Sequence, residues 1–169
     1  MRILSNRELN CIYGGTKMSG VDKIIFVAKS GTSREPMAAG IMREFVMKHP
    51  VEILARGLVV QFPEPMNQKA EAILISNGIS TEGFTSKQLE LDEITQDTLI
   101  LTMESKHREK ILECFPEVNP EHVHVLSEFV GDELEILDPY GGALQNYGLC
   151  YESLRMTIKK LVKILNEGE

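Results

Sequence analysis

Cysteine is scarce in this chain: Cys11, Cys114 and Cys150 are scattered through 169 residues, with no CxxC pair. An odd, dispersed count argues against a disulfide framework or a structural zinc site and points to a reducing compartment. Long apolar runs are missing too. The longest are short stretches such as Ile24 to Ala28, far from the ~20 residues that a membrane span needs. A basic surplus is also absent: 18 Lys and Arg stand against 25 Asp and Glu, a formal charge of −7. That balance disfavours nucleic acid or an anionic membrane as the main partner. The N-terminus lacks the apolar h-region of a secretory signal, so the expected location is cytoplasmic. No residue cluster calls for a metal or another cofactor. What the chain does have is an ordinary globular composition, 43% hydrophobic and 25% charged, in a length that suits one domain with a sizeable core.

Hydrophobic periodicity divides the chain into alternating strands and helices. Asp22 to Ala28 reads as a buried strand, and Val51 to Ala55, Thr98 to Met103 and His122 to Leu126 read as three more. Pro36 marks the first turn of a helix carrying Met37, Ile41, Phe45 and Val46 and running to about Lys48. Pro63 and Pro65 are expected to open a second helix that stops at Gly78, and Thr85-Ser86 to cap a short one through Leu89. A helical stretch to about Phe115 follows the third strand. A last helix spans about Tyr147 to Leu165, with Tyr151, Leu154, Ile158, Leu161, Val162 and Leu165 on one face. Strands alternating with helices imply an α/β fold, a parallel sheet with helices on both faces. Residues 1–20 differ in composition and read as a separate extension before a domain of residues 21–169.

Ligands of open α/β sheets bind at the carboxyl ends of the strands. The first such place here is Ala28-Lys29-Ser30-Gly31-Thr32-Ser33-Arg34. Small residues let successive N–H groups turn inward as a nest, the following helix adds its dipole, and Arg34 offers a planar fork for two anionic oxygens. The combination suits a phosphate-sized oxyanion. An ordinary strand-to-helix loop capped by Ser33 is the competing explanation.

The stretch Phe26 to Ala38 (FVAKSGTSREPMA) and the later Asp138-Pro139-Tyr140-Gly141-Gly142 resemble the two signatures of the low-molecular-weight protein-tyrosine phosphatases, in the right order. Leu99 to Met103, His107, Phe115-Pro116 and Leu126 to Phe129 are similar at corresponding places, so the resemblance covers about residues 22–165. It implies a three-layer, phosphotyrosine phosphatase I-like sandwich around a four-stranded parallel sheet. It further implies phosphate or a phosphotyrosine peptide as the bound species, Lys29 to Arg34 as the phosphate cradle, Asp138 as the general acid and Tyr140 as a pocket wall.

The departures are specific. The family attacks phosphorus with a cysteine thiolate, and that position is Ala28, which has no nucleophilic atom. The Ser or Thr that follows the family's arginine is Glu35, a carboxylate that would repel a phosphate dianion unless it is paired or turned away. Ser30-Gly31 replaces Gly-Asn, with Gly31 free to take a left-handed turn, and Ser33 stands where a second cysteine is often found. Ser30 and Ser33 lack an evident base. His107 and His124 are remote in sequence and read as structural or exposed, and Cys114 and Cys150 read as small core hydrophobes.

Leu4, Glu8, Leu9 and Ile12 before Gly14-Gly15 resemble a double-glycine leader, which in bacteria directs a peptide to an exporter that cleaves after the second glycine. The plain alternative is an extension that happens to contain Gly-Gly. Three readings follow: a phosphatase-like protein that has lost turnover and retains phosphate or phosphotyrosine binding, an active phosphatase using another route, and an interaction protein exported after cleavage following Gly15 with a vestigial pocket.

Overall fold

The computed structural model describes residues 20–167; the leader-like motif and Cys11 lie outside them. Four strands form one sheet: β1 (Lys23–Ala28), β2 (Glu52–Gly57), β3 (Thr98–Thr102) and β4 (Val123–Val125). Their order is β2-β1-β3-β4 and every pairing is parallel. The helices are α1 (Arg34–Arg43), α2 (Gln68–Ser76), α3 (Ser105–Cys114), α4 (Leu126–Val130) and α5 (Leu144–Glu167).

The period-two geometry of a strand explains the layering. Ile24, Phe26 and Ala28 of β1 face the larger core, where α1, α2, α4 and α5 pack. Ile25 and Val27 face the smaller one, made with Leu89, Ile111 of α3, Val118 and Val123. β1 and β3 are covered on both sides, so their sequences are almost uniformly apolar. The six apolar residues of α5 singled out above are all buried.

Boundaries differ from the periodicity in four places. α1 ends at Arg43, and Val46 is 87% exposed. The chain leaves the helix because Glu44 and Phe45 donate three residues back, to Ile41 and Met42, and Asn166 of α5 captures Lys48 N–H and Val46 C=O. α2 begins after the prolines, at Gln68, because the Asn67 side chain accepts from the Lys69 and Ala70 amides. No helix forms from Thr85 to Leu89. That segment lies along the end of β2, where Gly57 N–H donates to Lys87 and Leu89 N–H to Gly57, and Ser86 exchanges bonds with Glu64. The last helix starts earlier, at Leu144, and the short α4 follows β4 directly. Cys150 is buried as expected, but Cys114, at the end of α3, is exposed and not part of a core.

Candidate functional site

After β1 the chain crosses outward to β2 and then back over β1 to β3. The carboxyl ends of β1 and β3 therefore flank the topological switch point, where such sheets open a crevice. The Ala28–Arg34 loop and Glu104, just past β3, meet there.

Backbone bonds from several elements fix the loop. Leu58 N–H reaches both Ala28 and Lys29 carbonyls, Val59 N–H reaches Lys29, and Asn67 N–H reaches Thr32, each at 2.9 Å. Gly31 has φ +76°, the left-handed region anticipated for it. Gly57 lies against it. A Cβ at Gly57 would sit 2.7 Å from both Gly31 N and Ser30 C, so only glycine lets the loop pass the end of β2. Ser30 and Thr32 hydroxyls pair at 2.9 Å. Ser33 stands at the start of α1, but its hydroxyl makes no capping bond and instead meets the Tyr147 phenol.

Arg34 is 3% exposed. Its Nη1 donates to Glu104 Oε2 and to the Ile136 carbonyl, both at 2.7 Å, and Nη2 lies 3.7 Å from Asp138 Oδ2. A guanidinium has five donors; these two hydrogen bonds of Arg34 are both made by Nη1. Thus Asp138 joins the loop in space, 104 residues after Arg34 in number.

Glu35 is turned inward, 1% exposed, and its Oε2 accepts from Gly31 N–H at 2.5 Å. Burial raises its pKa from 4.5 to about 7, against the pull of the Glu35 and Gly31 amides and of Arg34. The residue feared as a repulsive neighbour is therefore held against the loop, and its burial favours the protonated form.

His107 is remote in sequence only. It sits in the first turn of α3, 3% exposed, and its Nδ1 accepts from Glu104 N–H, which puts the ring proton on Nε2. Nε2 has no hydrogen-bond partner, with Glu104 Oε2 at 3.6 Å. Burial, and then Arg34, push its pKa down to about 4, so the ring is neutral. His124 lies by β4 against Phe129, away from this cluster.

The segment carrying Asp138 is tied on by Ser105, whose N–H and hydroxyl donate to Glu135, and by Ile136 N–H to Met103 C=O at 3.3 Å. Asp138 Oδ1 accepts from Tyr140 N–H at 3.0 Å. Tyr140 is 79% exposed, and the aromatic packed behind the loop is Tyr147, 1% exposed. Sequence reasoning missed Glu104 and the Ile136 carbonyl as the groups that orient Arg34. Glu104 carried a usable signal, a carboxylate directly beyond the carboxyl end of a central strand. The Ile136 carbonyl, being backbone, carried none. Among the described residues no group of three His, Cys, Asp or Glu could hold a metal, and no helix is long and apolar enough to cross a membrane.

A parallel four-stranded sheet with helices on both faces, a backbone-clamped loop after its first strand and a buried arginine beside an Asp-Pro carboxylate define the class: an α/β protein of phosphatase-like architecture. The family model for low molecular weight phosphotyrosine protein phosphatase matches residues 23–169, and the chain belongs to that family. It is 32% identical over 147 residues to the low molecular weight protein-tyrosine-phosphatase PtpB of Staphylococcus aureus, covering 85% of this chain and 99% of that one. It is 31% identical over 144 residues to a protein-arginine-phosphatase of Geobacillus stearothermophilus, covering 85% and 95%. Among solved structures, the YwlE arginine phosphatase from Geobacillus stearothermophilus superposes with a TM-score of 0.79 at 30% identity, over 85% of this chain and 92% of that one. The tyrosine phosphatase Wzb from Escherichia coli K30, in complex with sulphate, shares the fold with a TM-score of 0.77 at 21% identity, over 86% and 99%.

Proposed function

We propose that this chain is a catalytically silent member of the phosphatase family that binds a phosphate-class oxyanion, free or on a phosphorylated side chain, without hydrolysing it. Ala28 carries the first half of that reading. It occupies the nucleophile's position at the end of β1, and its methyl group cannot form a phosphoenzyme. No nearby group supplies a substitute. Ser30 is bonded to Thr32, Ser33 meets Tyr147, and burial holds the Cys150 thiol up at about 11. Asp138 stands beside Arg34 as a general acid would, but a proton donor alone leaves the P–O bond intact.

The second half rests on Arg34. Its guanidinium is oriented by Glu104 and Ile136, with Asp138 beside Nη2, and the loop's Ala28, Lys29 and Thr32 carbonyls are held by neighbouring backbone amides. Relatives bear names for phosphotyrosine and phosphoarginine chemistry; the two share the phosphoryl oxyanion, which is the part the loop and Arg34 suit.

The test is a calorimetric titration with a phosphotyrosine peptide beside an assay for released phosphate. Binding without release, lost in Arg34→Ala and in the charge-conserving Arg34→Lys, is expected. Release of phosphate by the wild type that is abolished by Asp138→Ala would overturn the silent reading in favour of an active phosphatase. We assign residues 1–20 to a separate extension; mass spectrometry of secreted material would show cleavage after Gly15 if that extension is a leader.

A further inference from the structure

Glu35 is the buried charged group of the loop region that the oxyanion reading does not use. Its carboxyl is buried against the loop, holding the Gly31 amide at 2.5 Å, beside the arginine that would receive the ligand. The groups around it are few and identifiable. Arg34 adjoins it on α1, and the charges that act on it electrostatically include Asp138, from the segment before α5, while the Cys150 thiol of α5 feels Glu35 in turn. Behind Arg34 stand Glu104 and His107 at the start of α3. Cys150 and His107 are neutral over the neutral pH range, and Arg34 is already shared between two carboxylates. An ionised Glu35 therefore places a third carboxylate at the cradle, and a dianion entering the loop would meet a like charge in a buried, weakly screened setting.

We propose that Glu35 is the cradle's built-in competitor, so that the loop accepts a doubly charged oxyanion only as Glu35 takes up a proton. The carboxylic acid form still accepts from Gly31 N–H through its carbonyl oxygen, so the loop keeps its shape while the repulsion disappears. The consequence is selection by charge state: the site favours the proton-loaded protein for dianions, an inference that rests on the oxyanion-binding reading above.

Sulfate is the suitable probe, because it keeps both charges across the pH range in which phosphate itself titrates. Full coupling to one carboxyl that titrates near neutrality makes sulfate bind roughly ten-fold more weakly at pH 8 than at pH 6. Titrations of the wild type at pH 8 in two buffers of different ionisation enthalpy should show close to one proton taken up per sulfate bound. Glu35→Gln, which retains the acceptor and removes the charge, should bind sulfate equally at both pH values and without proton uptake. The wild-type proton count requires no variant, so it stands even if Glu35→Gln folds poorly. Sulfate binding that is flat with pH in the wild type and lost in Arg34→Lys would remove Glu35 as competitor and leave the oxyanion reading intact. An unchanged slope in Glu35→Gln would assign the proton elsewhere and equally overturn the proposal. No sulfate binding by wild type or Glu35→Gln at either pH would remove the oxyanion reading itself, and the competitor with it.

Discussion

The loop after β1 and the segment carrying Asp138 meet at Arg34 but are held in different ways. Backbone bonds from the β2 end and from the N-cap of α2 clamp the loop, and Gly31 and Gly57 are pressed together beneath it. The Asp138 segment has one backbone bond to the end of β3, Ile136 N–H to Met103 C=O, and otherwise depends on side chains: Ser105 to Glu135, Lys69 to the Gly142 carbonyl, Arg34 to the Ile136 carbonyl, and an Asp138 carboxylate 45% exposed. Backbone clamping does not depend on what the side chains do. A loop held by its own carbonyls is insensitive to the side chain at position 28, whereas a segment held mainly through side chains retains its place only as long as those tethers do. Such a clamp supports the proposal that the loop keeps its shape with alanine at position 28.

The sharpest way to break this comparison is to remove the group both regions share. Arg34→Ala should cost about 3 kcal/mol of stability, because Glu104 would lose its buried partner; urea unfolding measures it, and a cost near zero would mean that the two regions are not joined through Arg34. Gly57→Ala attacks the clamp alone. Its Cβ would press on backbone atoms of Gly31 and Ser30, at a cost of about 2 kcal/mol, with oxyanion binding weakened together with stability. Unfolding midpoints and sulfate titration of the same variant check both effects.

Glu35 gives a third prediction, with a definite sign. Its folded pKa, about 7, lies above the ordinary 4.5, so the folded state holds the proton more tightly and stability falls as pH rises through that window. The wild type should lose about 2 kcal/mol relative to Glu35→Gln between pH 5 and 8. His107 works the other way: with a folded pKa near 4 instead of 6.5, its contribution is present above 6.5 and is lost as pH falls. Comparing wild type with Glu35→Gln cancels the histidine and isolates the carboxyl. The smallest effect belongs to the tethered segment. Asp138→Asn removes a half-exposed ion pair at 3.7 Å and should change stability by less than about 1 kcal/mol. A larger loss in denaturant titration would show that the segment is clamped after all.

Much of the architecture was legible because strand and helix periods are local properties. The apolar run Ile24 to Ala28 and the face Tyr151 to Leu165 predict buried elements, and they are buried. Helix ends were less legible. Asn67 outranks the prolines before it as a starting signal, and Asn166, more than a hundred residues away, decides where the chain after α1 turns. Thr85 to Leu89 has capping residues, but its amides and carbonyls pair with the end of β2, a tertiary choice that no local pattern contains. At the candidate site, the motifs singled out Arg34 and Asp138, which the fold brings within 3.7 Å of each other. The inward turn of Glu35 was not legible, because a charged residue in a first helical turn ordinarily faces solvent, and only the Gly31 amide explains its burial. His107 and Glu104 joined the site through folding of β3 and α3, a proximity that separation in sequence conceals.

Phosphorus-31 NMR of a phosphotyrosine peptide, followed as the protein is added, observes binding and turnover in one spectrum. A silent cradle predicts a peptide resonance that shifts or broadens in proportion to the protein and returns on dilution, with no inorganic phosphate signal after prolonged incubation. A growing inorganic phosphate peak, or a peptide resonance untouched by excess protein, would contradict it.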